Sequence, residues 1–369
     1  MTKTLFIIIA ICVLFVQDIY AQQNNSTTGK IVKIGLLISN NKSIAARNGA
    51  EMAIGIANKK EGSDGLYFQL IVRSMEGPWG TGSNEAVNLV FKEKVWAIMG
   101  SHDARNAHLV EQVISKTGVV FLSAWATDPT LSQAFIPWYF SCVPNDIQQA
   151  GALIEEIYNK RKIIEIATVS DEDYDSKLAL QTLLKEIKIA GKAEPKQLFY
   201  DSSNTDFKIL FDEINKAGVN SIILFGKPSA SFSFIQQLRQ KKLNLPVYGA
   251  LSLLGESEFD DLELVYFDNI TLVTSGNWFE SKKLSFKNEF QEKYGKIPDA
   301  VAAYAFDGMN LIIEAVRNSG VNREKIQEAM SKMHYKGVTG SIQFDEKGNR
   351  MGPFGLIEIK NGIPVTVEK

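Results

Sequence analysis

The sequence predicts a two-lobed α/β protein in which each lobe is built on a doubly wound parallel sheet. Short apolar runs alternate with segments of helical periodicity from residue 31 onward, and this alternation restarts after Pro144. Strands that alternate with helices pair in parallel, with helices on both faces of the sheet. The length agrees with two such units, because 369 residues exceed one ordinary domain.

The first array contains five predicted strands and the helices between them. Its first strand is rich in isoleucine and leucine, and the next segment is helical because its apolar residues recur at intervals of three and four. The predicted elements are strand 31–38, helix 43–59, strand 67–73, a helix ending near residue 92, strand 95–99, helix 107–115, strand 119–122 and strand 138–143.

The second array repeats the pattern over a similar length. Its predicted elements are helix 146–159, strand 163–169, helix 176–190, strand 197–200, helix 206–217, strand 221–225, helix 229–242, strand 247–250 and strand 270–274. Three more helices are predicted at 281–294, 298–318 and 323–333, followed by a hairpin around 346–348. Two lobes of this kind predict a cleft between them, which is a favoured place for a small ligand.

Two polar loops follow neighbouring strands of the first array. Loop 101–106 follows strand 95–99, and loop 123–129 follows strand 119–122. In open α/β sheets, ligands bind at the carboxyl ends of the strands. We therefore expect both loops to line the cleft.

The N-terminal segment has the features of a cleavable signal peptide. Lys3 supplies a positive charge, residues 5–16 form an unbroken apolar run, and Ala21 is a small residue at the expected cleavage point. Residues 1–21 are therefore predicted to direct export to the periplasm, and the polar residues 22–30 to form a disordered leader. An N-terminal membrane anchor is the alternative, although the apolar run is short for a bilayer span.

Composition and cysteine usage exclude several classes of function. A formal net charge of -2 disfavours nucleic-acid binding. Cys142 is the only cysteine that follows the predicted signal peptide, so we expect no internal disulfide and a buried thiol. The three histidines lack the spacing of a zinc site, and no serine lies in a nucleophile elbow. We therefore expect no enzyme activity, no metal and no cofactor.

Several motifs resemble one known family. They are ATDPTLS (126–132), PNDIQQAG (144–151), DEDYDSK (171–177), YGKIPDAVAAYAFDGMN (294–310) and FDEKGN (344–349). Their order and spacing resemble the type I periplasmic binding fold, and within it the leucine/isoleucine/valine-binding family of ABC transporter substrate-binding proteins. The resemblance implies two lobes joined by a three-crossing hinge, which close on an amino acid or a similar small polar molecule.

The resemblance also divides the chain between the lobes. It implies crossings near 141–144, 274–277 and 340–343. Lobe 1 then consists of residues 31–142 and 275–340, and lobe 2 consists of residues 143–274 and 341–369.

Ligand-binding residues are implied on both lobes. Thr127 matches a family threonine that touches the ligand ammonium and carboxylate, and Trp125 and Ala126 match the contact positions beside it. Tyr174 matches an aromatic residue of lobe 2 that covers the ligand when the lobes close. The acidic residues around Tyr174 would suit a cationic ligand group or are simply solvated.

The loop after the third strand departs from the family. Ala104 replaces the serine that holds the ligand carboxylate, with His102 and Asp103 before it and Arg105 after it. Backbone amides at the start of the next helix would still bind an anion, and Arg105 would add a bidentate partner. The alternative is that Asp103 caps the helix and Arg105 lies on the surface.

Two further departures bear on the ligand. The family's acidic partner of the ligand ammonium aligns near Leu251 or Ser252, where no carboxylate stands, and Glu256 would reach the site only through an altered loop. The first loop, 39–43, is short and lacks the family aromatic; Trp79 either fills that space or is a packing residue. These departures argue against an ordinary aliphatic amino acid as the ligand.

The sequence thus predicts an exported solute-binding protein that captures a small polar ligand, an amino acid or a related compound, for uptake through an ABC permease. We expect a periplasmic monomer. The alternative is an extracytoplasmic sensor that presents the bound ligand to a separate signalling partner in the membrane.

Overall fold

The structure, a computed structural model, describes residues 29–59, 65–204, 206–256, 268–280, 285–352 and 354–367. The predicted signal peptide (1–21) and residues 22–28 of the predicted leader lie outside these ranges. Within them, strands and helices alternate in two arrays, each built on its own sheet. The predicted fold class is therefore confirmed.

The first sheet has five parallel strands in the order β2-β1-β3-β4-β5. These strands are β1 (Lys30–Ile38), β2 (Leu66–Ser74), β3 (Ala97–Ser101), β4 (Val120–Ser123) and β5 (Tyr139–Ser141). The helices between them are α1 (Ala45–Lys59), α2 (Thr81–Val87, extended by a π turn at Asn88–Glu93), α3 (Ala104–Thr117) and α4 (Thr130–Gln133). The chain order reverses between β1 and β3, and such a point is where open sheets bind ligands.

The second sheet has seven strands in the order β14-β13-β10-β9-β8-β6-β7. Its strands are β6 (Ile166–Asp171), β7 (Lys196–Tyr200), β8 (Ser221–Phe225), β9 (Val247–Gly249), β10 (Ile270–Thr274), β13 (Gly355–Lys360) and β14 (Ile363–Thr366). Its helices are α5 (Asp146–Ile154, extended by a π turn at Glu155–Lys160), α6 (Tyr174–Ile189), α7 (Lys208–Ala217) and α8 (Pro228–Gln240), and a short 3-10 helix (Leu251–Leu254) follows β9.

The edge of the second sheet differs from the all-parallel prediction. Strand β13 runs antiparallel to β10, and β14 runs antiparallel to β13. The two strands are joined by Asn361 and Gly362, whose φ angles are 51° and 73°. Two consecutive residues with positive φ form the tight turn of a hairpin, which imposes antiparallel pairing.

The predicted hairpin around 346–348 is a turn without regular strands. It is closed by a single antiparallel bridge between Phe344 and Arg350. The sequence pattern also gave no sign of the short antiparallel ribbon formed by β11 (Tyr335–Gly337) and β12 (Gly340–Ile342).

Three helices that follow β10 in the chain return to the first sheet. They are α9 (Phe286–Tyr294), α10 (Ala300–Ser319) and α11 (Arg323–Ser331). Helices α10 and α1 pack so closely that a Cβ atom on Gly49 would lie 2.2 Å from the carbonyl oxygen of Ala302. Cys142 is buried in the same core, and burial raises its pKa to about 12, so the predicted buried thiol is confirmed. Among the described residues, no helix is long and apolar enough to cross a membrane.

The segments that connect the two sheets meet in a buried group that we call the hinge cluster: Asp307, Thr339 and Arg350. The Asp307 carboxylate accepts hydrogen bonds from the Val338 amide (3.0 Å), the Thr339 amide (2.7 Å) and the Thr339 hydroxyl (2.6 Å). Arg350 donates to the Cys142 carbonyl (2.8 Å), the Thr339 hydroxyl (3.0 Å) and the Ser341 carbonyl (3.1 Å). The Arg350 side chain therefore links the first connection between the sheets, at Cys142, to the third connection, at Thr339 and Ser341.

The third connection leaves the first sheet later than predicted. The rings of Phe140 and Phe344 are 5.0 Å apart, and Ser141 pairs with Asn349. These contacts keep residues 344–349 beside β5. The return to the second sheet therefore comes after Arg350, and the boundary predicted at residue 341 is too early.

Candidate ligand-binding cleft

Two loops of lobe 1 face lobe 2 at the carboxyl edge of the first sheet. We call them the β3 loop (His102, Asp103 and the first turn of α3) and the β4 loop (residues 124–129). Both lie against the first turns of lobe 2 helices: the β3 loop contacts α6, and the β4 loop contacts α5. The two predicted cleft loops are thus brought to the same side of the molecule.

Asp103 caps helix α3. Its Oδ1 atom accepts a hydrogen bond from the Asn106 amide at 2.9 Å, and its Oδ2 atom accepts one from the Asn106 side chain at 2.8 Å. An Asp at this position satisfies one of the free amides at the helix start. Of the two roles considered for Asp103, the structure thus shows the capping role.

The adjacent amide binds a carboxylate from the other lobe. The Ala104 amide donates to Asp175 Oδ1 across 3.3 Å, and Asp175 lies in the first turn of α6. Burial raises the pKa of the Asp175 carboxyl to about 7; Asp103 and Asp173 raise it further, and the bond from Ala104 opposes the rise. A side chain of the protein therefore stands at the helix start where an anion was expected.

Arg105 also contacts α6. Its guanidinium carbon lies 4.7 Å from the centroid of the Tyr174 ring and 6.0 Å from the centroid of the Trp79 ring. Both distances are within the range of cation–π attraction. Arg105 is exposed, as one alternative expected, yet it joins the lobes through Tyr174 and brings Trp79 to the rim of the cleft.

His102 does not face the cleft. Its ring is 1 % exposed and stacks on Phe121 at a centroid distance of 6.0 Å, and its Nδ1 atom lies 3.0 Å from the Asp103 carbonyl. Burial lowers its pKa. The expected ligand contact of His102 is therefore corrected: the side chain belongs to the core, because Gly100 leaves room for the ring.

The β4 loop places Trp125 and Thr127 at the cleft. Trp125 is half-buried, its ring lies 6.5 Å from that of Tyr304, and a Cβ atom on Gly255 of lobe 2 would lie 3.4 Å from it. Thr127 is half-buried, and its carbonyl accepts from the Asp146 amide at 2.8 Å. The Ala126 side chain points into the core of lobe 1, so only its backbone is left for the expected contact.

Asp146 is a cleft residue that the sequence reasoning missed. It is the first residue of α5, is 4 % exposed and has a pKa well above its usual range because of burial, an effect that a hydrogen bond from Thr127 opposes. Asp128 and Asp175 also raise its pKa. The sequence signal that could have identified Asp146 is its position in the first turn of a lobe 2 helix, a position that Asp175 shares.

The β4 loop is also fixed within lobe 1. Asp128 accepts hydrogen bonds from the Thr130 amide and hydroxyl, each at 2.8 Å. The His108 ring lies 3.0 Å from Asp128 and 3.2 Å from Glu111, and these two partners raise its pKa to about 9. Asp128 therefore has the structural role that its place in the turn suggests.

A second carboxylate of lobe 2 binds a helix start on lobe 1. Glu256 Oε1 accepts from the amides of Ile44 (2.7 Å) and Ala45 (2.8 Å) at the beginning of α1. Leu251 is buried, and its amide donates to the Gln149 side chain at 2.8 Å. The position expected for an acidic partner of a ligand ammonium thus lacks a carboxylate, and Glu256, the next acid along the chain, is bound at the start of α1.

Comparison with known proteins agrees with this architecture. A model of the periplasmic binding protein family matches residues 35–362. A Leu/Ile/Val-binding protein homolog of Brucella abortus (strain 2308) is 23% identical over 362 residues, which cover 95% of this chain and 94% of the relative.

Two solved structures share the fold. The branched-chain amino acid transporter substrate-binding protein LivJ of Streptococcus pneumoniae, in complex with isoleucine, has a TM-score of 0.77 at 19% identity, with 92% of this chain and 100% of that chain covered. A solute-binding protein of an ABC transporter from R. palustris, in complex with benzoate, has a TM-score of 0.79 at 18% identity, with 92% and 96% covered. The chain therefore belongs to the periplasmic binding protein family, in the type I, leucine/isoleucine/valine-binding branch that its motifs predicted.

Proposed function

We propose that this chain is an exported solute-binding protein that captures a small polar ligand between its lobes and delivers it to an ABC permease. The observation that supports this most is the contact of two loops at the carboxyl edge of the first sheet with α5 and α6 of lobe 2. Relatives of the same fold are in complex with isoleucine and benzoate. Both are small organic molecules with one polar end, which is the ligand class proposed here.

Three side chains carry the proposed contacts. Thr127 offers a hydroxyl beside the buried Asp146, and Trp125 offers an aromatic surface between the lobes. Tyr174 covers the β3 loop from lobe 2, where Arg105 stacks on its ring. The backbone of Ala126 and the start of α3 complete the wall on lobe 1.

Export and the permease partner belong to the same proposal. The apolar run at 5–16 followed by Ala21 supports cleavage and release into the periplasm as a monomer. A binding protein of this kind acts by presenting the closed, loaded form to its permease, so closure of the lobes is the functional step.

A thermal-shift screen of the purified protein tests the binding function. Amino acids, their amides, aromatic acids and polyamines are the probes, because a ligand bound only by the folded state raises the unfolding midpoint. Calorimetry then gives the dissociation constant of each hit. A screen in which no small molecule raises the midpoint would contradict the proposal.

Variants of the cleft test the site. Thr127→Ala and Tyr174→Ala should each weaken the best hit by about 10-fold, the value of one lost hydrogen bond or ring contact. Thr366→Ala on β14 and Tyr67→Ala on β2 are matched controls, because both residues are exposed at the outer edges of the two sheets. Equal affinities in all four variants would place the ligand elsewhere.

Uptake measurements separate transport from sensing. Cells that lack this chain should lose uptake of the identified ligand at micromolar concentration, and the full chain should restore it. Unchanged uptake would reject the transport role in favour of the sensor that the sequence left as the alternative.

A further inference from the structure

We propose that Asp175 is a specificity-determining residue, whose carboxylate fills the anion-binding position at the start of α3 and so selects ligands that carry no negative charge at that end. The inference rests on the proposed function and names its substrate class: ligands that present an amide or an amine to the β3 loop. It follows from three features of the cleft.

The first feature is the occupied helix start. Amides at the beginning of a helix attract anions, because they lack backbone partners and carry the positive end of the helix dipole. In α3 the Ala104 amide donates to Asp175 at 3.3 Å, and the Asn106 amide donates to Asp103 at 2.9 Å. A ligand carboxylate at this position would have to displace the Asp175 carboxylate.

The second feature is the engagement of Arg105. This guanidinium is the other anion partner in the β3 loop, and it stacks on Tyr174, the residue next to Asp175 in α6. The first turn of α6 therefore contacts both groups through which the β3 loop would hold a ligand carboxylate. The two contacts come from adjacent residues and form together when the lobes meet.

The third feature is the balance of charge around Asp175. Asp103 faces it from the start of α3, Asp146 from α5 and Asp173 from its own loop, whereas Lys227 is the cation that opposes them from the start of α8. Asp128 and Arg105 act on the neighbouring Tyr174. A second anion placed here would be repelled by Asp103 and Asp173, and a hydrogen-bond donor or a cation would be attracted.

A buried acceptor lies at the end of β6, just before the loop that leads to α6. Asp171 ends β6 and is 1 % exposed; its Oδ1 atom accepts from the Ser202 amide at 3.2 Å. Its Oδ2 atom has no hydrogen-bond partner within the described part of the chain. A buried acceptor without a partner is costly, so this end of lobe 2 favours a ligand group that donates a hydrogen bond over one that accepts.

Matched ligand pairs test the proposal. The probes are L-isoleucine against L-isoleucinamide and benzoate against benzamide, each titrated into the purified protein by calorimetry. We expect the wild-type protein to prefer the amide of a pair by about 10-fold or more. Asp175→Asn and Asp175→Ser should raise the affinity for the carboxylates by about 10-fold, because they remove the competing charge.

The matched control is Glu172→Gln. Glu172 is an exposed acid of the same loop that pairs with Lys177 at 3.6 Å, and it makes no contact with Ala104. The Glu172→Gln substitution removes one negative charge, as Asp175→Asn does. Unchanged affinity for the carboxylates in this variant would therefore show that the gain in the Asp175 variants depends on the position of that residue. Unfolding midpoints of all variants show that each one is folded.

The pH dependence gives a second readout. With a pKa of about 7, Asp175 loses its charge as the pH falls from about 8 to about 6, while the ligand carboxylate stays ionised. Wild-type affinity for isoleucine or benzoate should therefore rise on acidification. The Asp175→Asn variant should lose this dependence.

The outcomes separate this inference from the proposed function. If both Asp175 variants bind the carboxylates no better than the wild-type protein, including the case of no binding at all, the inference is overturned. A wild-type protein that prefers a carboxylate to its amide overturns it as well. Either result leaves the solute-binding function in place as long as the wild-type protein binds some small molecule in a manner sensitive to Thr127→Ala.

Discussion

The β3 loop and the β4 loop follow neighbouring strands of one sheet, yet they depend on different parts of the molecule. The β3 loop is held by residues of α6 that lie far along the chain and on the other lobe: Ala104 binds Asp175, and Arg105 stacks on Tyr174. The β4 loop is held by nearby residues, since Thr127 binds Asp146 beside the first crossing. The contacts of Ala104 and Arg105 with α6 therefore join the two lobes, whereas the β4 loop, besides its contact with α5, is fixed within lobe 1 through Asp128 and His108.

This difference assigns separate tasks to the two loops. The β4 loop supplies a surface that hydrogen bonds within lobe 1 hold in place. The β3 loop supplies contacts between the lobes, so we expect a change in its charge to alter how the lobes meet and which ligand they accept. We therefore expect the largest loss of stability from changes that reach the β4 loop and the smallest from changes confined to the β3 loop.

The largest effect is expected from Arg350, because the β4 loop depends on the hinge cluster. Arg350 binds the Cys142 carbonyl, and the Cys142 amide in turn binds the Ser123 carbonyl at 3.0 Å, at the start of that loop. Arg350→Ala leaves several buried carbonyl groups without a donor and should lower the free energy of unfolding by about 3–5 kcal/mol. Chemical denaturation measures this loss.

Two further variants calibrate that experiment. Arg350→Lys keeps a charge with fewer directed donors and should fall between the wild-type protein and the alanine variant. Arg47→Ala removes an exposed arginine paired with Glu51 and should change stability by less than about 0.5 kcal/mol. Equal stability of the two alanine variants would mean that the hinge cluster does not hold the lobes together.

The second effect concerns the anchoring of the β4 loop by His108. Its pKa in the folded protein, about 9, exceeds the ordinary value of 6.5, so the stabilisation is complete below about pH 6.5 and is lost as the pH rises through about 9. The side chain is 35% exposed, so we discount the shift to about 1 kcal/mol. His108→Gln should thus lower stability by that amount at about pH 6 and by little at about pH 10.

The exposed His334 provides the comparison for that variant. His334→Gln should leave the stability unchanged at both pH values, because no carboxylate is placed beside its ring among the described ion pairs. An equal loss for His108→Gln at the two pH values would show that His108 contributes through packing and not through its charge.

The smallest effect is the coupling of Arg105 to Tyr174, which tests the β3 loop alone. A double-mutant cycle of Arg105→Ala and Tyr174→Ala, read by chemical denaturation, should give a coupling of about 0.5–1 kcal/mol. A second cycle that pairs Arg105→Ala with Tyr67→Ala should give none, since Tyr67 lies on the outer strand of the first sheet. Coupling that is absent from the first cycle would contradict the role of the β3 loop between the lobes.

Much of the fold followed from the sequence because hydrophobic periodicity is a local signal. The strands of both parallel arrays lie within a few residues of their predicted bounds. The antiparallel edge differs from the prediction although Asn361 and Gly362 are a strong hairpin signal, because the sequence pattern offers a second turn around Gly348 that predicts the closing hairpin there. The π turns that end α2 and α5 have no sequence signal of this kind.

The candidate site was predictable only in part, for a different reason. Position at the end of a strand predicted a place for Trp125 and Thr127 at the carboxyl edge of the first sheet, where both are half-buried and Thr127 contacts α5. The same argument failed for His102, whose ring turns back onto Phe121 in the space that Gly100 leaves. The bond between Ala104 and Asp175 joins residues 71 positions apart on different lobes, and no local pattern reveals it.

The hinge cluster also has a consequence for how the chain folds. Arg350 bonds to Cys142 across 208 positions of sequence, and the strands that finish the second sheet come later still. Contacts of such long range form late, since the whole intervening loop must first be ordered. During synthesis the two halves therefore cannot become one cooperative unit until residue 350 has emerged.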